Sequence, residues 1–251
     1  MPSFTDYDSF LLHEGTNYEL YKKLGAHPDT EDGVSGTRFS LWAPNAQFVS
    51  LITARTGWEN ENRMHRSAAD QGIWECFLPG VSDGDAYRYI VTGADGVRRW
   101  KSDPVAFRAE QRPANASIVC SLDTYAWNDA EYQARRDNTK VLEKPMSIYE
   151  VHLGSWKKGY RDEHDEDGFL NYRQLGDELA EYVRYMGYTH VELLPVMSYR
   201  SMDSAGFHTF GFYSTQSSYG SPEDLAYFID YMHKEGIGVI LSWSPAHFDD
   251  R

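Results

Sequence analysis

The sequence predicts a multidomain chain in which a β-sandwich is followed by the first β-α-β-α-β stretch of an incomplete (β/α)8 barrel. Three observations carry this expectation. Between Phe39 and Val91 short runs, separated by turn signals, carry apolar residues at every second position, the period of strands with one buried face. After residue 146 short continuous apolar runs alternate with stripes of helical spacing, the order of a parallel sheet with crossover helices. Between the two, DAEYQARRDNTKVLEKP packs eight charges into seventeen positions and ends on a proline, the composition of a surface connector. The expected divisions are a helical lead-in over 1–29, a sandwich over 30–128, a linker over 129–145 and a partial barrel over 146–251.

Residues 1–29 are polar and aromatic, with a short helical stretch around Tyr18 to Leu24 stopped by Gly25. In the sandwich, Phe39 and Leu41, Val49 and Leu51, Trp74, Cys76 and Leu78, then Tyr87, Tyr89 and Val91 mark the strands. Ala43-Pro44-Asn45, Pro79-Gly80 and Asp95-Gly96 supply turns. Ser147 to Leu153 reads as the first parallel strand. Asn171, with Gln174 three residues on, caps a helix whose stripe is Leu175, Leu179, Tyr182, Val183 and Met186, and Gly187 closes it. His190 to Val196 is the second strand. Ser221, Pro222 and Asp224 provide a cap, a first-turn proline and a capping-box acid for a helix bearing Leu225, Phe228, Ile229 and Met232. Ile237 to Trp243 is the third strand, apolar throughout, as a strand covered on both faces should be. Right-handed crossovers put both helices on one side of such a sheet. A sheet covered in that way closes into a barrel of about 250 residues, of which residues 146–251 supply less than half, so polar strand edges and a large apolar surface are expected to stand open.

Composition excludes several partners. With 24 Lys plus Arg against 38 Asp plus Glu, the formal charge is −14, which repels phosphate backbones and anionic lipid alike; neither nucleic acid nor a membrane is expected as a partner. No apolar run approaches the roughly 18 residues of a membrane helix. Asp6 and Asp8 stand where a signal peptide carries Lys or Arg, so the expected location is cytoplasmic. Cys76 and Cys120 are too few for a disulfide framework or a Cys-rich zinc site and read as buried thiols. The 7 Trp, 18 Tyr and 12 Phe offer flat faces suited to packing and also to lying against sugar rings.

Several motifs fail on their details. EHDEDGFLNYRQ (163–174) imitates a calcium loop, but Glu163 holds its first position and Gln174 its twelfth, so the bidentate acid is missing. His190-Val191-Glu192 has the spacing of a zinc deaminase without the P-C-x-x-C that completes it. Gly-rich phosphate loops, G-x-S-x-G elbows and H-E-x-x-H helices are absent. What remains are polar residues after the parallel strands, where barrel sites form. These are Gly154, Ser155 and Trp156, a long loop from Met197 to Tyr219 holding His208, Tyr213 and Tyr219, and Ser244 to Arg251 with His247.

At these residues the sequence resembles the 1,4-α-glucan branching enzymes of the α-amylase superfamily. The likeness runs through LHEGTNYELYKKLGAHP, FSLWAPNAQFVSL, SIYEVHLGSW, HVELLPVM, YGSPEDL and GVILSWSPAHF. It implies an immunoglobulin-like sandwich of the glucan-binding type and a barrel that cuts an α-1,4-glucan, holds the glycosyl piece covalently and passes it to a 6-hydroxyl. That is retaining chemistry, with paired carboxyls about 5 Å apart, in the service of glycogen biosynthesis; it needs no metal or organic cofactor, and its partners are glycogen, amylose and maltooligosaccharides.

The resemblance assigns site residues unevenly. Tyr213 matches the tyrosine that stacks on the sugar whose bond is cut, and His247 the histidine that hydrogen-bonds that sugar's primary hydroxyl. Ser242 sits where the family motif has an aspartate, and a serine cannot supply that charge. Ala205 replaces a tryptophan, Phe207 a tyrosine and His208 a glutamine, while Ser214 and Thr215 replace Ala-Pro. The nucleophilic, acid and stabilising carboxylates of the family fall beyond residue 251, so no catalytic residue is expected within the chain, and the chain alone is expected to be inactive. The alternative reading is a catalytically silent α-glucan-binding protein. Its stacking candidates are Trp58, Trp42 and Trp74, of which Trp42 and Trp74, lying in strands, are the better core residues.

Overall fold

The computed structural model describes residues 4–140, 143–159, 168–201 and 204–246. Contacts divide the chain into two units, Met1–Ser121 with Gly211–Ser214, and Leu122–Phe210 with Thr215–Arg251.

The first unit opens with helix α1 (Asp6–Glu14), earlier than the stretch around Tyr18 to Leu24, where only a 3-10 turn forms at Leu20–Lys22. Its signal is local. Thr5 caps the Asp8 N–H while the Asp8 carboxylate accepts from the Thr5 N–H, and Gly15 ends the helix at φ 70°. The lead-in is tied down by a small cluster of Phe4, Leu24 and Ile73 with Leu12 and Leu20. The Phe4 N–H donates to buried Glu75 at 3.1 Å, and the Ser9 hydroxyl to Asp70 at 2.8 Å.

Strands β1 (Gly25–Glu31) and β2 (Val34–Trp42) form an antiparallel hairpin. Its turn is Asp32-Gly33, with φ 49° and 80°, the two left-handed positions that a type I′ turn demands. Then come β3 (Phe48–Thr53), β4 (Asn62–Arg63), β5 (His65–Arg66), β6 (Ile73–Pro79), β7 (Ala86–Thr92), β8 (Arg98–Lys101), β9 (Arg108–Ala109) and β10 (Ser117–Ile118). One sheet has the order β1-β2-β6-β5; the other runs β4-β3-β7-β10-β9, with β8 paired to β7. Phe39, Leu41, Trp74 and Cys76 of the first sheet meet Val49, Leu51, Tyr87 and Tyr89 of the second in one core, so the arrangement is a sandwich. Phe39 and Tyr87 pack edge to face at 4.9 Å. Each such fully buried apolar side chain contributes about 1.5–3 kcal/mol. Burial pushes the Cys76 thiol up to about 12; it and Cys120 are free and buried. Trp42 is not a core residue: strand alternation that turns Leu41 inward turns Trp42 out, 54% exposed.

The second unit begins at Leu122, and the segment read as a linker contains helix α2 (Ala130–Asp137). Asp129 accepts from the Gln133 amide and pairs with His233 Nδ1, both at 2.7 Å, and the Tyr132 ring stacks on His233 at 4.1 Å. Buried Asp230 accepts from the Tyr125 hydroxyl at 3.0 Å and the Asn128 N–H at 2.7 Å.

The chain continues with β11 (Ile148–Val151), α3 (Leu153–Trp156), α4 (Tyr172–Met186), β12 (His190–Leu193), β13 (Met197–Tyr199), β14 (Thr209–Thr215), α5 (Pro222–Lys234) and β15 (Gly238–Leu241). Strands β11, β12 and β15 are parallel neighbours in that order, with Val151 opposite Leu193 and Leu193 opposite Leu241. Both expected capping boxes form, at Asn171 with Gln174 and at Ser221 with Asp224. Leu175, Leu179 and Val183 of α4 and Phe228 and Met232 of α5 share a core with Val151, Val191 and Leu193, which sets both helices on one face of the sheet. Met146, Ile148, Leu241 and Trp243 are 41–61% exposed.

The stretch from Met197 to Tyr219 is not the long loop expected from its polar and glycine content. β13 and β14 pair within it, and Thr209–Thr215 alternates burial as a strand does. Gly206 lets the connection turn: its φ is 90°, and a Cβ there would lie 2.4 Å from the Pro195 carbonyl oxygen. Part of the rejected calcium loop, residues 163–167, lies outside the described residues.

Candidate functional site

The chemistry-bearing face of the first unit is the outer side of the sheet that holds β3 and β7. Because Val49, Leu51, Tyr87 and Tyr89 point into the core, Ser50, Ile52, Arg88 and Ile90 point outward. Register extends that face to Arg63, opposite Ser50, and to Trp100 and Arg98, opposite Ile90 and Thr92. Ile52 and Ile90 are nonetheless buried, at 0% and 2% exposure, so longer side chains roof them over.

Trp58 is placed on this face by Arg88, whose guanidinium carbon lies 5.6 Å from the centre of its ring. Arg88 Nη2 also donates to the Asn115 side chain at 2.7 Å. Glu61 accepts from the Ser50 hydroxyl at 2.8 Å and pairs with Arg98; that ion pair and the Ser50 hydroxyl hold the Glu61 carboxyl below its usual range. Trp58 adopts φ 66° just after Gly57. A bulky residue in that region carries backbone strain of order 1–3 kcal/mol, which a structure retains where the side chain's placement matters. Trp100 is 54% exposed. The same face thus carries two indoles, Trp58 and Trp100, and two guanidinium groups, Arg88 and Arg98, groups able to stack on sugar rings and donate to their hydroxyls. Sequence reading found Trp58 and missed Trp100 and Arg88. The signal was present: with Tyr87 and Tyr89 inward, Arg88 must face out, and Arg98–Lys101 forms the return strand of the Asp95-Gly96 hairpin.

The strand ends of the second unit hold the other expected residues. After β11, the His152 ring meets the Ser155 hydroxyl at 3.0 Å; burial, with Lys158 adding to it, lowers its pKa from the usual imidazole value. After β15, the Ser242 N–H continues the parallel ladder to the Leu193 carbonyl at 2.9 Å, and its side chain is partly exposed. His208 is exposed on the connection between β13 and β14. The hairpin is held by Gln216, whose amide donates to the Tyr199 carbonyl at 3.3 Å, and by a Tyr199–Tyr219 hydroxyl contact of 2.8 Å. Tyr213 is 50% exposed and groups with the first unit, its ring 6.1 Å from that of Tyr21. His247 lies outside the described residues. Among the described residues no group of three or more His, Cys, Asp or Glu is arranged to hold a metal, and no helix is long and apolar enough to cross a membrane.

Comparison with known proteins bears on both units. The model of carbohydrate-binding module 48 (isoamylase N-terminal domain) matches residues 23–106, which include Trp58, Arg88 and Trp100. A 1,4-alpha-glucan branching enzyme of Halothermothrix orenii is 48% identical over 245 residues, covering 97% of this chain and 38% of the relative. Branching enzymes of Synechococcus sp. (strain JA-3-3Ab) and Rhodospirillum rubrum are each 44% identical, over 96% and 99% of the chain and 33% of their own lengths. The chain therefore spans about a third of the length of these curated relatives. An alpha-amylase-type structure from Salmonella typhimurium superposes with a TM-score of 0.64 at 24% identity, over 87% of this chain and 32% of that one, a likeness of fold. Relatives of this kind do not favour the reading as a silent binding protein. The chain thus belongs, over nearly its whole length, to the family of the 1,4-alpha-glucan branching enzymes, whose N-terminal portion it matches, and its residues 23–106 match the model of carbohydrate-binding module 48.

Proposed function

We propose that this chain forms the glucan-binding part and the first three strands of the catalytic barrel of a 1,4-alpha-glucan branching enzyme, which transfers α-1,4-glucan segments to 6-hydroxyls in the cytoplasm. The sandwich holds glycogen, amylose or maltooligosaccharides through Trp58 and Trp100. The single observation that carries this reading is the outer face, within the matched module, that carries Arg88 against the ring of Trp58, in its strained backbone conformation, and exposed Trp100 opposite Ile90.

Tyr213 stacks on the sugar at the cleaved bond, and His247, His208 and Ser242 are further substrate-binding residues. Ser242 contributes a hydroxyl and no charge, so it orders a catalytic acid less firmly than an aspartate does. The residues at the ends of β11, β12 and β15 are His152, Leu194 and Ser242, and none of these can act as the nucleophile or acid of a retaining reaction. Residues 1–251 by themselves bind α-glucan without branching it.

The test is affinity electrophoresis in glycogen gels together with an assay of α-1,6 linkages formed on amylose. The chain is expected to be retarded by glycogen, the retardation to be lost in the Trp58→Ala/Trp100→Ala double variant, and the linkage content of amylose to stay constant. Migration unaffected by glycogen would remove the binding assignment. New α-1,6 linkages made by residues 1–251 alone would overturn the assignment of the acids elsewhere.

A further inference from the structure

At the amino ends of the parallel strands, opposite the strand ends that carry His152 and Ser242, the second unit has a cavity of about 320 Å³. The volume suits a small organic molecule rather than a polymer. Arg135 and Arg136 of α2, Lys144, Tyr132, His190 and Met146 are among its walls. In a chain of formal charge −14, the described lining holds three permanent cations and no carboxylate.

The cavity exists because two positions lack side chains. Gly236 and Gly238 form part of its wall. A Cβ on Gly238 would stand 2.2 Å from His190 Cδ2 and 3.0 Å from the Tyr132 hydroxyl, and one on Gly236 would meet Arg135 Nη2 at 3.5 Å. The polar tips of Tyr132, His190 and Arg135 therefore converge on the space those glycines leave. The walls are prepared for this. Tyr132 is held flat against His233, Arg135 lies 5.5 Å from the Tyr132 ring centre, and His190 Nδ1 is fixed by the Thr189 hydroxyl at 2.8 Å. Arg136 has a carboxylate partner in Asp137, 3.2 Å away on the exposed side of α2.

We propose that this cavity binds a phosphate dianion, carried by a small phosphate ester such as a sugar phosphate. Arg135 offers the planar fork that matches a phosphate, and Lys144 a point charge. Tyr132 gives a hydroxyl donor, and the Met146 side chain lines the space that the carbon skeleton of an ester would fill. A neutral sugar leaves those cations without an anion. The site does not depend on the glucan face: it uses no residue of the first unit.

The experiment is isothermal titration calorimetry of the full chain with glucose 6-phosphate, inorganic phosphate and glucose. Glucose 6-phosphate is expected to bind saturably in the millimolar range or tighter, and glucose to give no saturable heat. The Arg135→Gln/Lys144→Gln variant, whose changed side chains are exposed, is expected to lose about tenfold or more in affinity, as the loss of a charge-assisted contact implies. Arg184→Gln, which removes a positive charge outside the cavity, is expected to bind as the parent does. Tighter binding of the ester than of inorganic phosphate assigns the cavity to esters, and equal affinity assigns it to the free anion. The proposal is overturned by the absence of saturable heat from either phosphate. It is equally overturned if the double variant, shown to be folded by circular dichroism, keeps the parent affinity.

Discussion

The Arg88 guanidinium carbon lies 5.6 Å from the centre of the Trp58 ring, and the contact fixes an otherwise exposed indole against the outer face of the sandwich. A ring held in advance loses little freedom when a sugar stacks on it. Trp58→Ala and Trp100→Ala are each expected to weaken glycogen binding by about fivefold, or about 1 kcal/mol. Trp42→Ala is expected to leave it unchanged, since Trp42 belongs to the other sheet. Gel retardation of the three variants checks this, and an equal loss in all three would contradict it.

A second prediction concerns α2. Burial pushes the Asp129 carboxyl up, but the Gln133 amide and the His233 ring more than offset it, so its pKa lies below the usual 3.8. A depressed carboxylate stabilises the fold above its unfolded value and loses that contribution as pH falls through its folded value. Besides Asp129, His233 meets the Tyr132 ring of α2, on which Arg135 also lies, while on its own helix Lys234 pairs with Asp230. Asp129→Asn should speed amide exchange in residues 130–137 at neutral pH, with the gap to the parent closing in acid below the carboxylate range. Hydrogen exchange followed by mass spectrometry measures it; a gap that widens in acid would reverse the sign.

A third prediction tests the β13–β14 connection. Gly206→Ala forces a Cβ to within 2.4 Å of the Pro195 carbonyl oxygen at φ 90°, a position at which alanine is strained even without the clash. The expected cost is about 1–3 kcal/mol. A lower thermal midpoint checks it, whereas Ser204→Ala, which removes only an exposed hydroxyl bonded to the Ser201 carbonyl, should change the midpoint little.

Residues that carry their own local signal were legible in the sequence. Asn171 with Gln174 and Ser221 with Asp224 announce helices because a capping box is satisfied by neighbours alone, and the inward Phe39, Val49 and Tyr87 follow from strand alternation. Other elements depend on distant partners. Strand β1 reads poorly, GAHPDTE having no clean alternation, yet it is held by seven register pairs with β2; its one local signal was Asp32-Gly33. Helix α2 is polar enough to read as a connector, and what orders it is His233, 104 positions beyond Asp129. The same holds at the site. Trp58 stood out as a residue, but Trp100 joined it only once β8 was paired to β7. The Tyr213–Tyr21 contact joins segments far apart in sequence and could not be inferred from either.

The last prediction concerns Asp103, which ties the sandwich core together from one carboxylate. Its Oδ2 accepts from the Tyr87 hydroxyl at 2.7 Å and the Tyr89 hydroxyl at 3.0 Å, its Oδ1 accepts from the Val105 N–H at 2.9 Å, and its own N–H donates to the Ser117 hydroxyl at 2.8 Å. Burial, the largest influence, pushes the carboxyl above its usual 3.8 even though those three accepted bonds pull it down. The native state therefore holds this proton more tightly than the unfolded chain, and the group's contribution is full below 3.8 and shrinks as pH rises through the native value. Asp129 has the opposite slope. Asp103→Asn does not titrate, and with its amide oxygen accepting from the two tyrosines its NH2 group faces the Val105 N–H, which loses its acceptor at a cost of about 1–3 kcal/mol. Thermal unfolding of parent and variant across acid to neutral pH should give a stability difference that is largest in acid and narrows toward neutrality. A difference that grows with pH would mean that the tyrosine hydroxyls, rather than desolvation, dominate this carboxylate.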